Sequence, residues 1–133
     1  MTTPQIGTKG DRLDFLIRQG ATFGPMQCTV LKADGSPDNL TGCTFIAEIR
    51  KTPDAATAAA AAVFTLTNAA AGQFSFTFTA TATEDIPCAP EGETSPDSLY
   101  VWDLEIHYPS GMVRPMLYGD ALVFREVSKG TPA

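Results

Sequence analysis

Asp103, Glu105 and His107 stand at i, i+2 and i+4 of Tyr100–Tyr108, a segment in which polar and apolar residues alternate, so all three share one strand face. Two carboxylates and the chain's single histidine in that register are the residue types of an acid/base cluster or a metal site. The same alternation is also what the solvated side of a half-buried strand requires, and that is the reading adopted. A serine-type hydrolase needs a nucleophile, a base and an orienting acid, and the only histidine lies in mid-strand. Asp11, Asp14, Asp34, Asp38, Glu48, Asp103, Glu105 and Asp120 offer carboxylates for a glycosidase-type pair, but spacing singles out no two of them. Asp34 and Asp38 flank Gly35 and Pro37, where such side chains bond local backbone. Glu84-Asp85 and Glu91 with Glu93 lack the pattern of a calcium loop and read as solvated, and no Gly-rich phosphate cradle occurs.

Cys28, Cys43 and Cys88 form an odd set without CxxC spacing. They read as buried thiols of a protein made in a reducing compartment, with a Cys28–Cys43 bridge as the less favoured alternative. Phe74, Phe76, Phe78, Tyr100 and Trp102 would make a sugar-stacking platform if exposed; at a period of two they read as core. The residues therefore assign no catalytic, cofactor-binding or metal-binding position, and the chain is not expected to be an enzyme.

The elements that carry these residues read as short strands. Leu13–Arg18, Met26–Lys32, Cys43–Arg50, Val63–Thr67 and Gln73–Thr79 alternate in turn, and Ala33–Pro37 and Asn68–Gly72 carry turn residues. Leu13–Arg18 and Met26–Lys32 form an early hairpin or a sandwich corner. Alanine fills seven of the eight positions from Ala55 to Ala62, which predicts a loop with a helical turn. Thr81–Ile86 reads as one helical turn crossing between sheets, and Pro87–Pro96 as a long polar loop. The final third reads as three strands, Leu99–Tyr108, Met112–Tyr118 and Ala121–Val127, punctuated by Pro109-Ser110-Gly111 and Gly119-Asp120. Seven or eight short antiparallel strands at this spacing predict an all-β, immunoglobulin-like β-sandwich or a related Greek-key barrel. Residues 1–10 read as a flexible N-terminal arm, 11–128 as one sandwich domain and 129–133 as a C-terminal tail.

The 133-residue length suits one domain, and 44% hydrophobic with 18% charged residues suits a packed core. A net charge of −6 opposes attraction to phosphate backbones or anionic lipid, so neither nucleic acid nor membrane is an expected partner. No run reaches the roughly 18 apolar residues of a membrane span, and the N-terminus lacks the pattern of a secretory signal.

The ordered pieces FLIRQGATF (Phe15–Phe23), DGSPDNLTG (Asp34–Gly42), CTFIAEIR (Cys43–Arg50), YVWDLEIHY (Tyr100–Tyr108), SGMVR (Ser110–Arg114) and LYGDALV (Leu117–Val123) span nearly the whole chain. In that order they resemble small bacteriophage virion proteins, similar to the N-terminal domain of phage baseplate upper proteins; Trp102 stands where that family usually has Tyr. The resemblance implies an Ig-like assembly module without catalytic residues, repeated about a symmetry axis in a tail or baseplate. It implies synthesis in the host cytoplasm, residence in the virion, and partners that are other virion proteins and further copies of the chain. In the family the domain commonly precedes a receptor-binding portion, whereas this sequence stops after Thr131-Pro132-Ala133, which points to a connector, adaptor or decoration role. Capsid decoration, or a carbohydrate or host-surface binding module, are the alternative readings. Deleting residues 1–10 is expected to leave a cooperatively folding monomer, with a thermal midpoint within roughly 5 °C of the parent, and to weaken assembly. Loss of folding would show that the arm is an essential strand.

Overall fold

The computed structural model describes residues 5–6, 10–88 and 98–126. They form two β-sheets with one hydrophobic core between them. Ten strands run in chain order: β1 Gln5–Ile6, β2 Asp11–Arg12, β3 Phe15–Arg18, β4 Phe23–Val30, β5 Thr44–Arg50, β6 Ala60–Ala61, β7 Val63–Asn68, β8 Gln73–Phe78, β9 Leu99–His107 and β10 Val113–Phe124. One sheet has the order β1-β4-β8-β7. The other has the order β2-β10-β9-β5-β6, with β3 also on β10.

The alternating segments bury the faces that the sequence assigns to the core. Phe74, Phe76 and Phe78 of β8 meet Tyr100, Trp102, Leu104 and Ile106 of β9, all buried. Ring contacts cross between the sheets: Phe76 lies 5.7 Å from Trp102, Phe45 4.6 Å from Phe74 and Phe15 6.0 Å from Phe78, centroid to centroid. Burying each large apolar side chain contributes about 1.5–3 kcal/mol, so this double layer of rings dominates the stability of the fold.

Several expectations are corrected. The ladders are not all antiparallel: β1 runs parallel to β4, and β2 and β3 run parallel to β10. Among the described residues there are ten strands rather than seven or eight. Of the hairpin and the corner expected for the first two long strands, the structure has the corner, since β3 and β4 lie in different sheets. The alanine-rich stretch has no helical turn; Ala60–Ala61 pairs with β5, because the backbone of an extended chain finds ladder partners there that an isolated helical turn would lack. Within the expected arm, Gln5–Ile6 is a strand on β4, and the rest of it apart from Gly10 lies outside the described residues, as do residues 89–96 of the polar loop, residue 97 and residues 127–133.

Gly119-Asp120 does not break the last strand, which runs unbroken from Val113 to Phe124. Gly119 is there for close approach. A Cβ at this position would lie 2.2 Å from the carbonyl oxygen of Leu13, the first of the two residues between β2 and β3. The Leu13 amide donates to the Tyr118 carbonyl at 2.8 Å, the Trp102 indole Nε1–H donates to the Leu13 carbonyl at 2.7 Å, and the Asp120 amide donates to Asp14 Oδ1 at 2.8 Å. The N-terminal strand is thereby kinked over β10 and continues on the same edge.

The connections are tied by side chains. Asn68 caps a 3₁₀ turn, Ala69–Ala71, that ends at left-handed Gly72. The crossover helix α1, Ala80–Glu84, starts at Thr79, and its buried Thr83 hydroxyl donates to the Ala21 carbonyl at 2.8 Å. Beyond it the Tyr100 hydroxyl donates to the Pro87 carbonyl. Asp38 is not a local turn residue: its Oδ2 accepts from the Tyr108 hydroxyl at 2.6 Å and from Arg114 Nη1 at 3.1 Å, which joins the β4–β5 connection to the β9–β10 hairpin. Burial and the bond to Asp38 push the Tyr108 phenol above its ordinary value. Gly119→Ala is expected to cost about 3 kcal/mol through the forced contact and to lower the thermal midpoint by roughly 10 °C, read by circular dichroism. An unchanged midpoint would contradict the crossing.

Candidate functional site

The outer face of the six-stranded sheet is concave. Its depression, about 530 Å³, is lined by side chains from β2, β5, β9 and β10 together with Pro53 and Gly119. Pairing stacks these strands into rows. Glu48 lies opposite Asp103, Asp103 opposite Tyr118, and Tyr118 opposite Arg12. One row along, Ile46 lies opposite Glu105, and on the other side Arg50 lies opposite Val101, which faces Asp120.

Ion pairs order this surface. Arg12 Nη2 lies 3.1 Å from both Asp14 and Asp120, and its guanidinium sits 5.9 Å from the centroid of the Tyr118 ring. Arg50 contacts Glu48 at 2.9 Å and donates to the Ala55 carbonyl at 2.6 Å. The bond from the Asp120 amide, with Arg12 assisting, holds the Asp14 carboxyl below the usual carboxylate range. Asp103 has the opposite surroundings. Desolvation first, then the facing carboxylates Glu105 and Glu48, push it above its ordinary value. Beside the depression a smaller concavity of about 210 Å³ is lined largely by Phe15, Leu16, Leu99 and Leu122. Of the exposed large apolar side chains, Leu16, Ile46, Leu99, Val113 and Tyr118 all belong to this sheet, and they border its charged rows.

The strand face carrying Asp103, Glu105 and His107 exists, but the three do not form one cluster. His107 Nε2 pairs with Glu105 Oε1 at 3.2 Å, while Asp103 faces Glu48 and Tyr118. Among the described residues no group of three or more His, Cys, Asp or Glu side chains is placed to hold a metal ion. Among those residues also, no helix is long and apolar enough to cross a membrane. Asp34 accepts from the Ser36 amide and hydroxyl, as expected of a turn residue. Asp11 is exposed on β2, Asp85 ends α1 beside exposed Glu84, and Glu91 and Glu93 lie outside the described residues. Cys28 and Cys43 are buried and Cys88 half-buried, all as free thiols, and burial pushes Cys28 up to about 12. The five aromatic residues of the would-be sugar platform are buried at 0–4% exposure.

Arg12, Ile46, Arg50 and Tyr118 escape a reading of the sequence because strands distant in the chain bring them together. Their outward register within alternating segments was the available signal. The surface combines paired charges with bordering exposed apolar side chains. Asp103→Asn tests its electrostatics. A carboxyl whose folded pKa is raised destabilises the fold above that pKa and has no such effect once it is protonated in both states. The variant is therefore expected to unfold roughly 1–3 °C higher at neutral pH, with the difference vanishing below the ordinary carboxylate range. A variant that is less stable at neutral pH would contradict the repulsion. Comparison of the chain with protein-family models and with curated proteins finds no match to either.

Proposed function

We propose that this chain is a non-enzymatic structural subunit of a bacteriophage virion, an immunoglobulin-like sandwich that assembles in several symmetric copies at a tail, baseplate or connector position. The observation that carries the assembly role is the outer face of the six-stranded sheet, where exposed Leu16, Ile46, Leu99, Val113 and Tyr118 border ion pairs around a broad depression. Tyrosine and arginine are enriched at protein-binding surfaces, and Tyr118, Arg12 and Arg50 line this depression. Arg12 pairs there with Asp14 and Asp120, Arg50 with Glu48, and His107 with Glu105, which suits a surface made for contact.

The strand order supports the Ig-like reading. β1-β4-β8-β7 against β3-β10-β9-β5-β6 follows the division of a variable-type domain, with β6 as the additional strand beside β5. Tyr100, near the start of β9 and bonded to the Pro87 carbonyl, resembles the tyrosine corner of such domains. The phage assignment rests on the sequence resemblance across Phe15–Val123. Electron cryomicroscopy of the virion encoded beside this gene is the test. Density for the chain in a tail or connector ring, with the six-stranded sheet against a neighbour, is expected; absence of the chain from purified virions would overturn the proposal.

A further inference from the structure

The two sheets differ in charge. All four strands of the β1-β4-β8-β7 sheet, QI, FGPMQCTV, QFSFTF and VFTLTN, lack a charged residue, and so does every position from 55 to 83. The chain nevertheless carries a net charge of −6, and the other sheet holds the ion pairs. Two copies meeting through these strands bring no like charges of the strands together.

This neutral sheet ends in an open edge. β7 is its terminal strand and pairs on one side only, with β8. Among the described residues, nothing hydrogen-bonds the other side of Val63–Thr67. Edge strands are ordinarily protected by charge, proline or brevity, yet β7 has six residues and neither charge nor proline. Leu66 lies opposite Phe74 and so faces the inter-sheet side, but it is 41% exposed because no further strand covers it.

We infer that the edge of β7 is the contact between two copies of this chain, paired antiparallel about a two-fold axis into one continuous eight-stranded sheet. The identity of the occupant rests on the assembly reading above, which calls for copies of the chain; its place rests on the edge and the charge distribution. A two-fold contact is self-complementary, and an antiparallel pairing of one strand with itself satisfies that symmetry while using up the free edge. Opposite residues must share a face, so the axis passes at a residue and not between two. The ladder irregularity between Leu66 and Asn68 puts that residue at Thr65, with Phe64 of one copy beside Leu66 of the other.

The test is the solution mass of the full chain, with Thr65→Glu and Thr65→Lys as variants. Thr65 faces outward and is exposed, so either change leaves the core intact. The parent is expected to pass from the 14.1 kDa monomer to twice that mass as concentration rises, with half-association at about 10–500 μM, as for a small interface. Each variant alone is expected to stay monomeric, through like charges directly opposed at the axis, and an equimolar mixture of the two to recover the dimer. A parent still monomeric at about 1 mM overturns the inference. So does a variant that dimerises like the parent, or a mixture that stays monomeric. If the Thr65 variants do not fold, Leu66→Lys places the charge against Phe64 of the second copy and must give the same loss. A Thr65-dependent dimer that is absent from virions would leave this contact standing and overturn the virion reading. Copies adjacent in the virion but not joined through β7 would do the reverse.

Discussion

The fold depends on the place where Leu13 crosses Gly119. A side chain at position 119 would run into the Leu13 carbonyl, and that carbonyl is held by the Trp102 indole, itself packed 4.6 Å from the Phe15 ring and 5.7 Å from Phe76. One small residue thus lets the N-terminal strand lie parallel on the last strand, bend, and continue, while a core ring locks the bend from below. Arg12 enters the outer depression only because β2 is seated there, and Phe15 reaches the core only because β3 resumes the ladder after the kink. Seating β2 and β3 on β10 also brings segments from opposite ends of the described residues into one sheet, whose inward rings then pack against the other sheet.

From this seat the two outer faces acquire different characters. The six-stranded sheet gathers alternating charges from β2, β5, β9 and β10, and the four-stranded sheet gathers threonine, serine and glutamine. Outward residues of a strand do not contribute to the core, so their chemistry is free to serve contact with other molecules. In the proposed assembly the charged, partly apolar face is assigned to a different neighbour and the neutral sheet with its open edge to a further copy, and symmetric repetition would turn individually small contacts into a stable whole.

What the sequence made legible follows the physics of alternation. Phe74, Phe76 and Phe78, and Tyr100, Trp102, Leu104 and Ile106, read as buried because a period of two leaves no other way to hide so many apolar groups. The crossover at Thr81–Ile86 was legible from its polar and acidic residues, and the turn at Asn68–Gly72 from its turn residues. Gly119-Asp120 misled because glycine serves both positive φ and close approach, and only the partner strand tells which. Ala60–Ala61 misled because helix propensity is weaker than a waiting ladder. Asp38 looked local, yet it bonds Tyr108 and Arg114 about seventy residues away, and the parallel pairing of β3 with β10 carries no local signal at all. The outer depression was hidden for the same reason, since Arg12, Glu48, Asp103 and Tyr118 become neighbours only through strand order.

Solvent exchange of the Trp102 indole proton and the Leu13 amide, followed by NMR in deuterated buffer, probes the crossing most directly. Both protons are expected to exchange only with global unfolding, at least about 10³-fold slower than in an unfolded chain and in step with the amides of β9. Exchange at the unfolded rate, with β9 still protected, would mean that Leu13 does not sit on Gly119, that β2 is not on β10, and that Arg12 does not belong to the depression.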